Sequence, residues 1–140
     1  ENGLRGITFY AINTDSQVLA VSLAENKLQI GEKTTKGLGA GANPELGERS
    51  ADENQEDIKA LLQGADLVFI TAGMGGGTGT GASHVIAKIA KDMGLLVIGV
   101  VTRPFSFEGK VRKINSDLGI QLSCERLAVS DNTVRFCRVS

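Results

Sequence analysis

The sequence contains few aromatic, cysteine and histidine residues. Aromatic side chains make up 4% of its 140 residues and tryptophan is absent, so the stacking platforms with which proteins bind single-stranded nucleic acids are not expected. Two cysteines and one histidine are too few for a structural zinc site, and a disulfide framework needs more cysteines. We therefore expect a reducing, cytoplasmic location.

An excess of charge of one sign is also lacking. Fifteen basic and 16 acidic residues give a net charge of −1, which predicts no nucleic-acid partner. The apolar runs are too short to cross a bilayer, so direct membrane insertion is not expected. Residues 1–20 have no signal-peptide pattern. Because the chain begins with Glu1, we expect a fragment or a processed product.

Glycine, in contrast, is abundant and concentrated in two short stretches. The chain has 18 glycines, nearly double the usual share of about 7%. Five of them lie between Gly31 and Gly47, and six lie between Gly73 and Gly81. A glycine backbone can approach a ligand without a Cβ clash, so we expect the functional residues in these two stretches.

Apolar runs alternate with helical patterns along most of the chain. Strand, loop and helix follow one another repeatedly, which predicts an α/β fold with a Rossmann-like parallel sheet and helices on both faces. The continuous apolar run at 66–71 predicts a strand buried on both faces. Leu118, Ile120 and Leu122 alternate weakly, as in a strand. The predicted strands are 7–12, 27–30, 66–71 and 95–101, and the predicted helices are 15–22, 43–63 and one that follows Gly81.

The segment Gly73–Gly81, GMGGGTGTG, follows a predicted strand and precedes a predicted helix. Free N–H groups at a helix N-terminus attract phosphate, and Thr78 and Thr80 add hydroxyl groups. Charged residues are absent from 71–87, so amides and hydroxyls would hold the phosphate. We expect Mg²⁺ to offset the charge of such a ligand.

Three known glycine loops can be compared with this segment. A P-loop requires a lysine that is absent here. The dinucleotide fingerprint matches at Gly77-x-Gly79-x-x-Ala82, but Thr102-Arg103 stands where that fold needs an acidic residue. Since an arginine suits a 2′-phosphate, an NADP-binding Rossmann domain remains a remote alternative. The tubulin-type signature, GGTGTG, is matched in full.

Residues 6–112 resemble the GTPase domain of the FtsZ family, the bacterial and plastid homologues of tubulin. This resemblance implies a cell-division GTPase that polymerises head to tail into the cytokinetic ring in the cytoplasm, or in the plastid stroma of a plant or alga. It implies self-association, and contacts with division proteins and membrane tethers through a C-terminal tail that this sequence lacks. The matching segments are 11–15 (AINTD), 28–31 (LQIG), 37–44 (GLGAGANP), 69–82 (FITAGMGGGTGTGA) and 100–109 (VVTRPFSFEG).

The resemblance also implies a GTP/GDP site. Residues 75–81 would wrap the phosphates, 40–43 would report the γ-phosphate, and 13–15 would form a wall. Glu108 would bind the ribose and Arg112 the nucleotide. The implied GTP-binding residues are Asn13, Asp15, Ala40, Gly41, Ala42, Asn43, Gly75, Gly76, Gly77, Thr78, Gly79, Thr80, Gly81, Glu108 and Arg112.

Simpler structural roles are open for several of these residues. Asp15 and Asn43 are suited to cap helices, and Glu108 and Arg112 have the spacing of a helix ion pair. His84 replaces a proline usual in the family, and we expect it to be a tolerated first-turn residue and not a ligand.

The sequence departs from the family at both ends. The family's first strand and first glycine loop have no counterpart, so we interpret 1–112 as a partial GTP-binding domain and 113–140 as a tail outside the resemblance. No catalytic residue is assigned. Asn115-Ser-Asp117 resembles only the first half of the family's acidic loop, and we attribute this match to chance or at most to a rearrangement. We predict weak or no GTP binding and no turnover for this chain alone. The alternative is a non-catalytic remnant that caps or inhibits filaments of an intact homologue.

Overall fold

The computed structural model describes residues 6–127 and 136–138 of the chain. Strands and helices alternate along it, which confirms the predicted α/β class. The elements are β1 (Tyr10–Asn13), α1 (Ser16–Val21), β2 (Asn26–Gln29), α2 (Glu32–Thr35), α3 (Pro44–Glu53), α4 (Gln55–Leu62), β3 (Leu67–Gly73), α5 (Thr78–Asp92), β4 (Leu96–Thr102), a 3₁₀-helix (Ser106–Glu108), α6 (Lys110–Leu127) and β5 (Phe136–Arg138).

The strands among the described residues form two parallel sheets. In the first, β1 pairs with β2, and Ile12 lies opposite Leu28. In the second, β4 lies between β3 and β5, and Ile70 of β3 lies opposite Gly99. Parallel pairing places the carboxyl ends of β3 and β4 at the same edge of the second sheet, where the loop to α5 begins.

Helix α5 joins the two sheets through one hydrophobic core. Ten of its residues are buried, and burial of each large aliphatic side chain contributes roughly 1.5–3 kcal/mol. Because Ile12 belongs to β1 and Ile70 to β3, contact with the same cluster holds both sheets to this helix. The cluster consists of Ile30, Ala51, Ile58, Ala82, Val85, Ile86 and Ile89, with Ile12, Leu28, Leu62, Ile70 and Met93 packed against it.

The single helix predicted over 43–63 is wrong, because Asn54 divides the segment into α3 and α4. Its side-chain oxygen accepts a hydrogen bond from the N–H of Gly31 at 2.8 Å, and its amide nitrogen donates to Asp57 at 2.7 Å. These bonds compete with the regular helix at that residue. The glycine density of 31–43 predicts a loop over this whole segment, but the segment contains α2.

The weak alternation of Leu118, Ile120 and Leu122, which supported no assignment, does not mark a strand, because all three lie in α6. Helix α6 packs closely on α5, and this contact is consistent with its helical conformation. A Cβ on Gly119 would come within 2.5 Å of the Thr80 methyl carbon, so the glycine lets the two helices approach. Neither α6 nor another helix in the described residues is long and apolar enough to cross a membrane.

The expectation that β3 is buried on both faces is also wrong. Leu67 and Phe69 are 42% and 56% exposed. Helix α5 packs on the face that carries Ile70 and Val97, where it forms the core. Successive side chains of a strand point to opposite faces of the sheet. Leu67 and Phe69 therefore lie on the face of β3 away from α5, and they remain accessible among the described residues.

Candidate phosphate-binding site

The 73–81 loop connects the carboxyl end of β3 to the N-terminus of α5. Gly75 has a φ of +112°, and a Cβ there would lie 2.9 Å from the carbonyl oxygen of Arg112, so this position requires glycine. The N-cap residue of α5 is Gly77, and among the described residues no side chain caps this terminus. The first N–H groups of α5 are therefore suited to bind an anion.

Hydrogen bonds fix the shape of the 73–81 loop. The N–H of Gly75 donates to the buried hydroxyl of Thr80 at 2.8 Å. The N–H of Met74 donates to the carbonyl of Thr102 in β4 at 2.9 Å. The Thr80 hydroxyl thus supports the loop from inside, and the role expected for it as a ligand donor stays a prediction.

The structure brings the 40–43 loop into contact with the 73–81 loop. A Cβ on Gly77 would lie 2.5 Å from the carbonyl oxygen of Gly41 and 2.9 Å from that of Ala40. Gly41, Ala42 and Asn43 are exposed beside this contact. The two glycine-rich stretches therefore contact one another, with Gly77 buried in the contact and residues 41–43 exposed beside it.

Asn43 is a helix cap, as its simpler interpretation predicted. Its side-chain oxygen accepts a hydrogen bond from the N–H of Glu45 at 3.0 Å, and Pro44 follows as the first residue of α3. This is the usual pairing of an asparagine cap with a proline in the first turn. A contact between Asn43 and a nucleotide stays a prediction.

Asn13 and Asp15 lie where β1 ends. The side-chain oxygen of Asn13 accepts hydrogen bonds from the N–H groups of Thr14 and Asp15, at 2.8 and 3.2 Å. Asp15 caps α1 by accepting from Gln17 and Val18. Both side chains therefore shape the turn after β1, and their contact with a nucleotide stays a prediction.

Thr14 connects this turn to the 73–81 loop, a role that we did not predict. The residue is fully buried, and its hydroxyl lies 2.6 Å from that of Thr78, the first residue of α5. Its carbonyl accepts from the hydroxyl of Thr35 at 3.3 Å. The sequence did contain a signal for this role, because Thr14 lies in the AINTD segment between Asn13 and Asp15, two predicted site residues.

Glu108 and Arg112 form an ion pair at the start of α6, as their spacing predicted, with 3.6 Å between Arg112 Nη1 and Glu108 Oε2. The other oxygen of Glu108 accepts from the N–H of Phe105 at 3.1 Å. The carbonyl of Arg112 lies against Gly75, so Arg112 adjoins the 73–81 loop. Their contacts with ribose or base stay predictions.

His84 lies in the second turn of α5, not the first, and is 1% exposed. Its Nδ1 lies 3.4 Å from the carbonyl oxygen of Thr80. Its Nε2 lies 3.5 Å from a carboxylate oxygen of Glu48 in α3, within ion-pair distance but without a hydrogen bond. His84 therefore packs between α3 and α5, on the inner side of the loop.

A family model identifies the relationship of this chain to known proteins. The model of the Tubulin/FtsZ family, GTPase domain, matches residues 5–133. The chain belongs to the Tubulin/FtsZ family. The matched range includes part of the segment after Arg112. Helix α6 continues through this position without a break. The predicted division of the chain into 1–112 and 113–140 stays a prediction.

Solved structures of the Tubulin/FtsZ family share the fold of this chain. A point mutant of FtsZ from M. jannaschii is 48% identical, with a TM-score of 0.88, over 98% of this chain and 40% of that one. An empty FtsZ dimer from the same organism is also 48% identical, with a TM-score of 0.87, over 97% and 38%. A GTPγS-bound protofilament of CetZ2 from Haloferax volcanii is 25% identical, with a TM-score of 0.79, over 92% and 39%.

The chain spans about two fifths of the length of these solved relatives. Its fold is that of a partial Tubulin/FtsZ GTPase domain, which confirms the predicted family and fold. Guanine nucleotides are bound in the CetZ2 structure and in a GDP-bound CetZ1 monomer from the same organism.

Proposed function

We propose that this chain forms the phosphate-binding part of a guanine-nucleotide site in a self-assembling cell-division GTPase. The observation that carries the proposal is the uncapped N-terminus of α5, which meets the 73–81 loop and the 40–43 loop at one surface. Family membership and the nucleotides in the CetZ structures support guanosine phosphates as the ligand.

The backbone does most of the binding in this proposal. Residues 75–81 wrap the phosphates through the N–H groups of 76–80, because those of Gly75 and Gly81 already donate to Thr80 and Gly77. The macrodipole of α5 stabilises the negative charge of the phosphates. The 40–43 loop, which is exposed at residues 41–43, lies beside them and contacts the γ-phosphate. Glu108 accepts hydrogen bonds from the ribose hydroxyls, and Arg112 contacts the base edge or a phosphate. Asn13 and Asp15 form the wall near the end of β1.

Mg²⁺ fits this site as a companion of the nucleotide and not as an ion in a protein cage. Among the described residues, no group of three or more histidine, cysteine, aspartate or glutamate side chains is placed to hold a metal. Mg²⁺ often keeps waters and binds substrate phosphates directly. It would neutralise phosphate charge that a loop without lysine leaves unpaired.

Assembly is the second half of the proposal. Relatives of this chain form a dimer in FtsZ and a protofilament in CetZ2, and we propose that the whole protein stacks head to tail in the same manner. The division ring in the cytoplasm, or in a plastid stroma, is then its place of action. Since no residue of this chain is assigned to activate water, we expect the isolated chain to show no turnover. We also expect it to bind GTP weakly.

Competition for a fluorescent GTP analogue tests the nucleotide class. We expect GTP and GDP to displace the analogue from the 140-residue chain, and NADPH to leave it bound. Displacement by NADPH alone would replace the proposal with the NADP-binding alternative. Hydrolysis that rises steeply with protein concentration would contradict the expected absence of turnover.

A charge placed in the loop tests the position of the site. Gly76 has open space around an added Cβ, so Gly76→Asp leaves the fold intact and brings a carboxylate toward the bound phosphates. We expect its affinity for GTP to fall at least about tenfold, which corresponds to about 1.4 kcal/mol. Lys88→Gln is the matched control, because it lowers the net charge equally on an exposed part of α5. Equal losses in both variants would show that the loop is not the site.

A further inference from the structure

Helix α6 places one polar side chain against both glycine-rich loops. The side-chain nitrogen of Asn115 donates to the carbonyl of Ala42 at 2.9 Å and to the carbonyl of Gly75 at 3.3 Å. Both neighbours are acceptors only, so the amide nitrogen, which carries two N–H groups, is the atom that must face them. One side chain therefore bridges two loops that are far apart in the sequence.

Close backbone packing fixes the position of Asn115. Three residues before it, the carbonyl of Arg112 lies against Gly75, where a Cβ would come within 2.9 Å. Four residues after it, Gly119 packs on the methyl group of Thr80. The spacing places these three positions of α6 on one face of the helix. Asn115 is therefore held on the loops from both sides, and its bridge does not depend on a flexible backbone.

The bridge has its greatest effect on the 40–43 loop. Ala42 and its neighbours are exposed, and Gly41 adopts a φ of +57°. The 73–81 loop has the additional support of Thr80 and of β4. Loss of the amide would therefore leave the 73–81 loop in place and release the 40–43 loop from it.

We propose that Asn115 is a positioning residue that holds the 40–43 loop in the orientation that recognises a γ-phosphate. This inference rests on the proposed function, in which the 73–81 loop binds the phosphates common to GTP and GDP. The side chain acts through the two loops and touches no nucleotide. It sets the preference for a nucleoside triphosphate over a diphosphate, because only the triphosphate uses the 40–43 loop.

Separate titrations with GTP and GDP test the role of Asn115. Asn115→Ala removes the amide, and Asn115→Leu removes both donors while it keeps most of the volume. We expect both variants to weaken GTP binding about fivefold, the order of one lost hydrogen bond, and GDP binding less than twofold. A residue that only stabilised the fold would weaken both nucleotides equally.

Asn26→Ala is the matched control. Its side chain also donates to a backbone carbonyl, that of Phe9 at 3.2 Å, on the exposed edge of the first sheet. We expect it to leave both affinities unchanged. Equal weakening of GTP and GDP by the Asn115 variants, or no weakening, would overturn the inference.

Amide hydrogen exchange in the nucleotide-free chain is the second measurement. We expect exchange at 40–43 to be faster in both Asn115 variants and unchanged in Asn26→Ala. If the unaltered chain binds neither nucleotide, the proposed function is wrong, and this comparison alone decides whether Asn115 holds the loop. Unchanged exchange at 40–43 would then overturn the bridge itself.

Discussion

At the scale of single residues, buried or paired polar side chains connect segments that are distant in sequence. Thr14 links the end of β1 to the start of α5, and Asn54 links α3 to Gly31. A buried polar group without a partner costs about 1–3 kcal/mol, so each of these bonds restricts how the segments can be arranged. Glu53 makes a similar connection at the surface and gives a pH-dependent test.

Glu53 holds the first turn of α2 through its carboxylate. One oxygen accepts from the N–H of Lys33 at 2.9 Å, and the other accepts from the N–H and the hydroxyl of Thr34, at 3.1 and 2.7 Å. The hydroxyl of Thr34 and the N–H of Lys33 hold the pKa of Glu53 below its usual value. The ionised form is therefore the one that the folded chain favours.

We expect Glu53→Gln to lower stability near neutral pH and to lose this effect in acid. A lowered pKa contributes stability above the unfolded value, and the contribution disappears as the pH falls through the folded value. Because Glu53 is exposed and screened by solvent, the difference should be about 1 kcal/mol or less. Urea unfolding at several pH values measures it. Glu56→Gln, which changes an exposed pair with Lys59, is the control. A stability difference between Glu53→Gln and the unaltered chain that grows in acid would contradict the stabilising role of the ionised carboxylate.

At the scale of elements, α3 and α5 approach one another through glycines. A Cβ on Gly47 would collide with the carbonyl of Gly77, and a Cβ on Gly81 would collide with the carbonyl of Pro44. These collisions involve backbone atoms, which cannot rotate away. The contact of α3 with α5 therefore sets the position of both loops at the site.

We expect Gly47→Ala to destabilise the chain by about 1–3 kcal/mol, as overpacking does. The direction of the change in stability is informative, because helix propensity alone would favour alanine over glycine by about 1 kcal/mol. Thermal unfolding of the variant measures the change. Gly76→Ala is the matched control, since its Cβ meets open space. An increase in stability on Gly47→Ala would show that the helices separate without cost.

At the scale of the whole molecule, α5 is the element on which both sheets and the site depend. Its apolar face holds β1 and β3, and its N-terminus meets the two loops. A ligand that binds only this folded arrangement must stabilise the whole chain by mass action. Nucleotide binding and global unfolding are therefore linked through one helix.

We expect GTP with Mg²⁺ to raise the melting temperature of the chain, with about 2.7 kcal/mol of added stability at a hundredfold excess over Kd. Chelation of Mg²⁺ should reduce the rise, because the 73–81 loop carries no charge to balance the phosphates. Differential scanning fluorimetry with and without a chelator measures both effects. The same rise in Gly76→Asp would show that GTP binds elsewhere, and a rise unaffected by chelation would count against Mg²⁺.

Features that depend on neighbouring residues could be predicted from the amino-acid order alone. The cap at Asn43, the strand before the 73–81 loop, the helix after it and the family signature all follow from residues within a short segment. Local backbone preferences and side-chain caps act over a few residues, so their pattern is visible in the order of the amino acids. For this reason, the α/β class and the strand–loop–helix order around 73–81 were predictable.

Contacts between groups that are distant in the sequence depend on how the helices and strands pack. Asn115 reaches Ala42 across 73 positions of the chain, and Thr14 reaches Thr78 across 64. The break at Asn54 depends on the N–H of Gly31, 23 positions away. None of these partners leaves a pattern within a short segment, because a hydrogen bond requires proximity in space and not in sequence. The bridge between the two loops therefore forms only when α6 packs on α5.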